Sequence, residues 1–154
     1  MANYAKSLKL DLGEPEAVIA IPALDIAVPV YADRVPMALE GGTAWVDGTM
    51  APGTSGNVAI AGHRDSFFRP LEGIPVGTRI QLTTNTGTQE FAVVSVSIVD
   101  ALDTHPLDQT DSAVLTLITC HPFRYIGFAP DRYIVRAELT ESNSHTSRPA
   151  NSAP

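Results

Sequence analysis

Apolar residues along this chain fall into short runs rich in Val, Ile and Thr, each closed by Pro, Gly, Asn or Asp, and no window keeps helical apolar spacing for three turns. The pattern predicts a mostly β chain. Candidate strands are Ala17–Ile21, Ile26–Tyr31, Gly56–Ala61, Arg79–Thr83, Glu90–Ile98, Val114–Thr119 and Tyr133–Leu139. The stretch Thr84–Thr88 (TNTGT) reads as a hairpin turn, because Asn and Gly accept the positive φ that tight turns need. Short helical turns are expected near Pro36–Glu40 and Ser66–Leu71 and nowhere longer. Seven or eight short strands separated by turn signals predict an all-β fold, a closed or nearly closed barrel, since closure removes exposed sheet edges.

The 154 residues, 44% hydrophobic, suffice for one domain with a sizeable core and are too few for two. We expect an N-terminal extension over 1–13, a barrel domain over 14–141 and a disordered polar tail over 142–154, because ESNSHTSRPANSAP offers nothing apolar to bury. His145 lies in that tail and is expected to be inert. The most apolar stretch, Ala17–Val30, is broken by Pro22, Asp25 and Pro29 and is neither a membrane span nor a signal-peptide core. The start, MANYAKSLKLDLGE, leaves open a truncation point from which an anchor has been removed.

A net charge of −7 and a pI near 4.9 argue against nucleic acid as a partner, since phosphate binding needs clustered Lys and Arg. A single cysteine excludes an intramolecular disulfide and CxxC-type sites, and leaves the redox compartment open.

That cysteine, Cys120, ends a strand. Alternation puts Leu115, Leu117 and Thr119 on one face and Thr116, Ile118 and Cys120 on the other, so the adjacent His121 points away from the thiol. A better partner is His63 in NVAIAGHRDSFF, just past the end of an apolar strand, where a loop can hold a polar group over a groove. His105, in a Pro- and Asp-rich segment, is the rival. Arg132 opens the last strand and shares a face with Ile134, which would stand a permanent cation beside the thiol. Singly, these signals have bland readings: a small buried core cysteine, a solvated arginine, a histidine in a capped turn.

Together they carry a resemblance. TLITC followed by PF, with APDRYIV after it, resembles the sortase signature of a TLxTC cysteine and a following strand arginine. AGHRDSFFRPLEGIPVGTRI is similar to the segment that carries the sortase histidine, and the likeness runs from about Ala17 to Leu139, closer to the class D branch than to class A.

The resemblance implies a sortase-type barrel of eight strands and a cysteine transpeptidase that cleaves an LPXTG-like sorting signal between Thr and Gly. Its catalytic residues would be Cys120, His63 and Arg132. It further implies an extracytoplasmic enzyme at the bacterial cell surface, membrane-anchored in full length, that passes the acyl group to an amine of a peptidoglycan precursor. The peptide groove is expected between the strands ending at Cys120 and Arg132, with Ile118, Thr119 and Ile134 as candidate peptide-binding residues and the loop Thr104–Ser112 beside them. Ser66, Phe67 and Phe68 are expected to pack the loop under His63, and Asp65 is a candidate to orient its imidazole.

No cofactor or metal is expected. The alternative is calcium at Asp100, Asp103, Asp108 and Asp111, since some sortases bind it in a comparable region; the spacing lacks the glycine and terminal Glu of an EF-hand. No DPW or DPF lid motif precedes the first strand, which fits protein anchoring better than pilus assembly. Two other functions use the same features: a cysteine peptidase that only hydrolyses, and a non-catalytic β-barrel binding module with an inert Cys120.

Overall fold

The computed structural model describes residues 14–32, 42–62, 68–121 and 130–144. Eight strands follow in chain order: β1 Ala17–Ile21, β2 Ile26–Ala32, β3 Thr43–Trp45, β4 Asn57–Ala61, β5 Arg79–Thr84, β6 Gly87–Asp100, β7 Val114–His121 and β8 Asp131–Ser144. They close into a barrel in the order β1-β2-β3-β4-β7-β8-β6-β5. The pairs β2–β3 and β4–β7 are parallel, and the others are antiparallel.

The seven strands expected from periodicity are all present, with ends displaced by a few residues. The eighth strand of the expected barrel is β3, whose place the apolar pattern does not mark. Three residues are too few to show a period, and β3 exists because its backbone pairs with β2 on one side and β4 on the other. The last strand runs past position 142, into the segment expected to be a polar tail. Residues Ser142 to Ser144 continue β8 by pairing with Gly87 to Gln89, where backbone groups find partners whatever the side chains are.

Three short 3-10 turns, Pro22–Leu24, Arg69–Leu71 and His105–Leu107, each carry a Pro at the first or second position, where its missing N–H costs nothing. The second falls inside the expected turn at Ser66–Leu71. The expected turn at Pro36–Glu40 lies outside the described residues. The hairpin at TNTGT is a two-residue connection, with Thr84 paired to Gly87.

One apolar cluster fills the barrel. It includes Ile19, Ile21, Val30, Val58, Ile60, Ile80, Leu82, Phe91, Leu115, Leu117 and Val135. Each fully buried aliphatic or aromatic side chain of this kind contributes roughly 1.5–3 kcal/mol relative to exposure. The segment after the 3-10 turn at Arg69 is tied to β8 through Tyr133, whose hydroxyl donates to the Leu71 carbonyl (3.0 Å) and accepts from the Gly73 N–H (2.9 Å). Among the described residues no helix is long and apolar enough to cross a membrane.

Candidate active site

Strand register builds the site. In the β7–β8 ladder Cys120 lies directly opposite Arg132, and Ile118 directly opposite Ile134. Opposed positions in an antiparallel pair lie on the same face of the sheet. The alternate positions Leu117, Thr119, Tyr133 and Val135 are all buried on the interior side, so 118, 120, 132 and 134 belong to the outer face. Parallel to β7, β4 ends beside the same spot: Ala61 pairs with Ile118, and the Gly62 N–H donates to the Ile118 carbonyl at 3.0 Å. Three separate segments, around 62, 120 and 132, are thus joined by backbone hydrogen bonds at one end of the barrel.

A groove of about 180 Å³ opens on this outer face. Its floor is Ala61, Ile118 and Ile134, with Arg132 at the β8 end. One wall is the β6–β7 loop, through Ala101, Asp103, Thr104, Pro106 and Leu107, and Val46 and Val99 complete the lining. The surface is mostly aliphatic, with a guanidinium and a carboxylate among its polar groups. That combination suits an extended peptide whose apolar side chains enter the groove while its carbonyls meet fixed donors. The Arg132 guanidinium is itself anchored by donating through an Nη1 hydrogen to the Asp131 carbonyl at 2.9 Å.

Gly62, immediately before His63 in the sequence, has a physical reason to be glycine. A Cβ there would come 2.7 Å from the ring of Phe68, a side chain with no exposed surface. Phe68 packs in the main core. His63, Asp65, Ser66 and Phe67 lie outside the described residues, as does His145.

Of the three candidate peptide contacts, Ile118 and Ile134 line the groove and Thr119 does not. Thr119 is 2% exposed on the interior face, opposite Tyr133, and its Oγ1 has no hydrogen-bond partner among the described residues. His121 is paired with Asp131, one position beyond Cys120 and therefore on the other face by register. His105 is exposed, with Nδ1 3.0 Å from Asp108 Oδ2.

The acidic residues of the β6–β7 loop are engaged locally. Asp100 accepts the Leu102 N–H at 2.8 Å, and Asp103 accepts the His105 N–H at 2.9 Å. Among the described residues no group of three or more His, Cys, Asp or Glu side chains is arranged to hold a metal ion.

Sequence reasoning missed Val46, Ala61, Val99 and Ala101. These are small or branched apolar residues at strand ends, and no periodicity marks which of them border a groove.

A protein-family model described as the Sortase domain matches residues 19–140. The chain belongs to the sortase family. It is 31% identical over 135 residues to Sortase D of Bacillus subtilis, covering 87% of this chain and 68% of that protein. Among solved structures, the catalytic domain of Bacillus anthracis SrtD superposes with a TM-score of 0.72 at 33% identity, covering 87% of this chain and 92% of that one. Sortase A of Listeria monocytogenes gives a TM-score of 0.77 at 25% identity, with 87% and 92% covered. Sortases are transpeptidases of the cell surface, working on sorting-signal peptides and amine acceptors, and this sortase has their closed eight-stranded barrel.

Proposed function

We propose that this sortase cleaves an LPXTG-like sorting signal between Thr and Gly through a thioacyl enzyme on Cys120, and transfers the acyl group to an amine of a cell-wall precursor, anchoring a surface protein. The observation that supports it best is the register match of Cys120 with Arg132 beside an apolar groove.

The Cys120 thiolate attacks the Thr carbonyl carbon, forming an S–C bond and an oxyanion. A thiol with its ordinary pKa of ~8.5 is mostly protonated at neutral pH, so the thiolate needs a cation nearby, and Arg132 supplies a permanent one. The same guanidinium donates to the oxyanion, a contact that, when lost, typically costs about 3 kcal/mol of barrier. As the tetrahedral intermediate collapses, the Thr–Gly C–N bond breaks and His63 as imidazolium gives its proton to the departing amine. In the second half, neutral His63 takes a proton from the incoming amine, which attacks the thioester, forms the new amide and releases the thiolate. Water in place of the amine gives hydrolysis as the side reaction.

Ile118 and Ile134 receive apolar side chains of the signal, and Thr119 supports the strand end from within. Asp100 and Asp103 each have one carboxylate oxygen engaged by a backbone N–H of their own loop, and no step of this scheme is assigned to a metal. The full-length protein acts outside the cytoplasm from a membrane anchor.

Mass spectrometry of the protein incubated with an LPXTG peptide tests the reading. The expected result is an acyl adduct on Cys120 that is absent from Cys120→Ala and that an added amine converts to an amide product. Failure of the folded wild type to form the adduct overturns the proposal, and an adduct that only water resolves makes the protein a hydrolase.

A further inference from the structure

The floor of the groove is held by strand ladders, but its β6–β7 wall has no ladder. Between Asp103 and Asp108 the backbone hydrogen bonds are local ones, Leu107 N–H to Thr104 and Asp108 N–H to His105. What fastens this wall to the barrel is a polar cluster on the outer face of β4, β7 and β8. Asn57, at the start of β4, has no exposed surface, and both hydrogens of its Nδ2 are used: it donates to the Pro106 carbonyl and to the Asp108 carbonyl, each at 2.9 Å. Its Oδ1 accepts from Thr116 Oγ1 at 2.6 Å, and Thr116 is also fully buried. Arg136 of β8 adds a second donor to the Pro106 carbonyl at 3.0 Å.

The chemistry of this arrangement is specific. A carboxamide is one of the few side chains that can donate twice to two carbonyls while accepting from a third group. The Thr116 hydroxyl fixes which way the amide faces, since a flipped amide would turn its oxygen toward two carbonyl oxygens. A buried amide satisfied on every side holds its partners far more tightly than solvent-exposed contacts do. Those partners flank Leu107, and Pro106 itself is buried; with Thr104, these residues form the wall that faces Ile118 and Ile134.

We propose that Asn57 is a positioning residue for the peptide, setting the width of the groove by fixing the Pro106 to Asp108 segment, with Thr116 orienting its amide. The inference rests on the peptide-groove reading above. Asn57 touches neither Cys120 chemistry nor the scissile bond in this scheme, so its loss acts on binding before it acts on rate.

The test compares wild type, Asn57→Ala and Thr116→Val below the melting temperature of each. Three readouts are taken: KM and kcat for an LPXTG-type peptide, the rate of Cys120 alkylation by iodoacetamide, and backbone amide exchange across residues 103–111. Asn57→Ala is expected to raise KM by about tenfold with little change in kcat, consistent with loss of two buried hydrogen bonds. Alkylation is expected to stay near the wild-type rate and loop exchange to accelerate. Thr116→Val, which keeps the volume, should move KM and loop exchange in the same direction by less.

An unchanged KM in a folded variant, or a fall in kcat alone, overturns the proposal. If Asn57→Ala does not fold, Thr116→Val decides by the same criteria. A wild type that forms no acyl adduct would instead strike the functional reading, while the exchange data still report whether Asn57 holds the wall.

Discussion

The two strands that flank β8 have opposite surroundings. On β7, Val114 to Leu117 and Thr119 are buried, because the barrel interior covers one face and the β6–β7 loop, pinned through Asn57 and Arg136, covers the other. On β6, all five residues from Val94 to Ile98 are exposed, with Ile98 at 51%. The β5 ladder stops at the Arg79–Ala92 pair and the backbone bonds to Gly77 and Thr78 stop at Val93, so among the described residues β6 is laddered to β8 alone from Val94 on. Both strands carry several branched apolar residues, Val and Ile on β6 and Val, Leu and Ile on β7. Cover, more than composition, decides which side of β8 can hold a water-poor groove, and the Cys120–Arg132 pair sits on the covered side.

The sharpest way to break this comparison is on the covered side. His63→Ala should lower the rate of peptide cleavage by roughly 10²–10⁴, as loss of a general acid does, whereas His121→Ala should leave substantial activity. The reverse outcome in steady-state assays would move the proton transfer to the wrong face of β7. Arg132→Lys keeps the charge but loses the planar fork, and a fall in kcat of roughly 10² is expected. Wild-type turnover in that variant would reduce Arg132 to a wall residue.

The other two tests concern stability. Leu117, fully buried on β7, should lose about 2–5 kcal/mol on Leu117→Ala by urea unfolding. Ile98→Thr, on the open part of β6, should stay within about 0.5 kcal/mol and leave peptide cleavage unaltered. Similar losses at the two positions would mean that β6 is covered in solution and that the contrast is false.

Much of this barrel was legible in the sequence, since strands such as Val114–His121 and Arg79–Thr84 carry their own pattern and turn chemistry. The faces of Cys120 and Arg132 were also accessible by counting along each strand, whereas their direct opposition depends on the β7–β8 register. Strand β3 was hidden, being a product of its neighbours. Thr119 was a candidate for the groove although a period of two already put it on the face of Leu115 and Leu117, and it is buried there. Nothing in the sequence singles out Asn57, because its significance depends on two carbonyls about fifty residues away.

Because β8 is fourteen residues long and pairs with β6 at thirteen of them, its two ends are far apart: Arg132 stands at the groove, while Ser144 lies opposite Gly87 next to the β5–β6 hairpin. Twelve steps of extended chain separate them by roughly 40 Å at most. A fusion partner, dye or solid support grafted at that hairpin would sit at the opposite end of β8 from the cleft, which makes the remote pole the natural handle for an immobilised ligation catalyst.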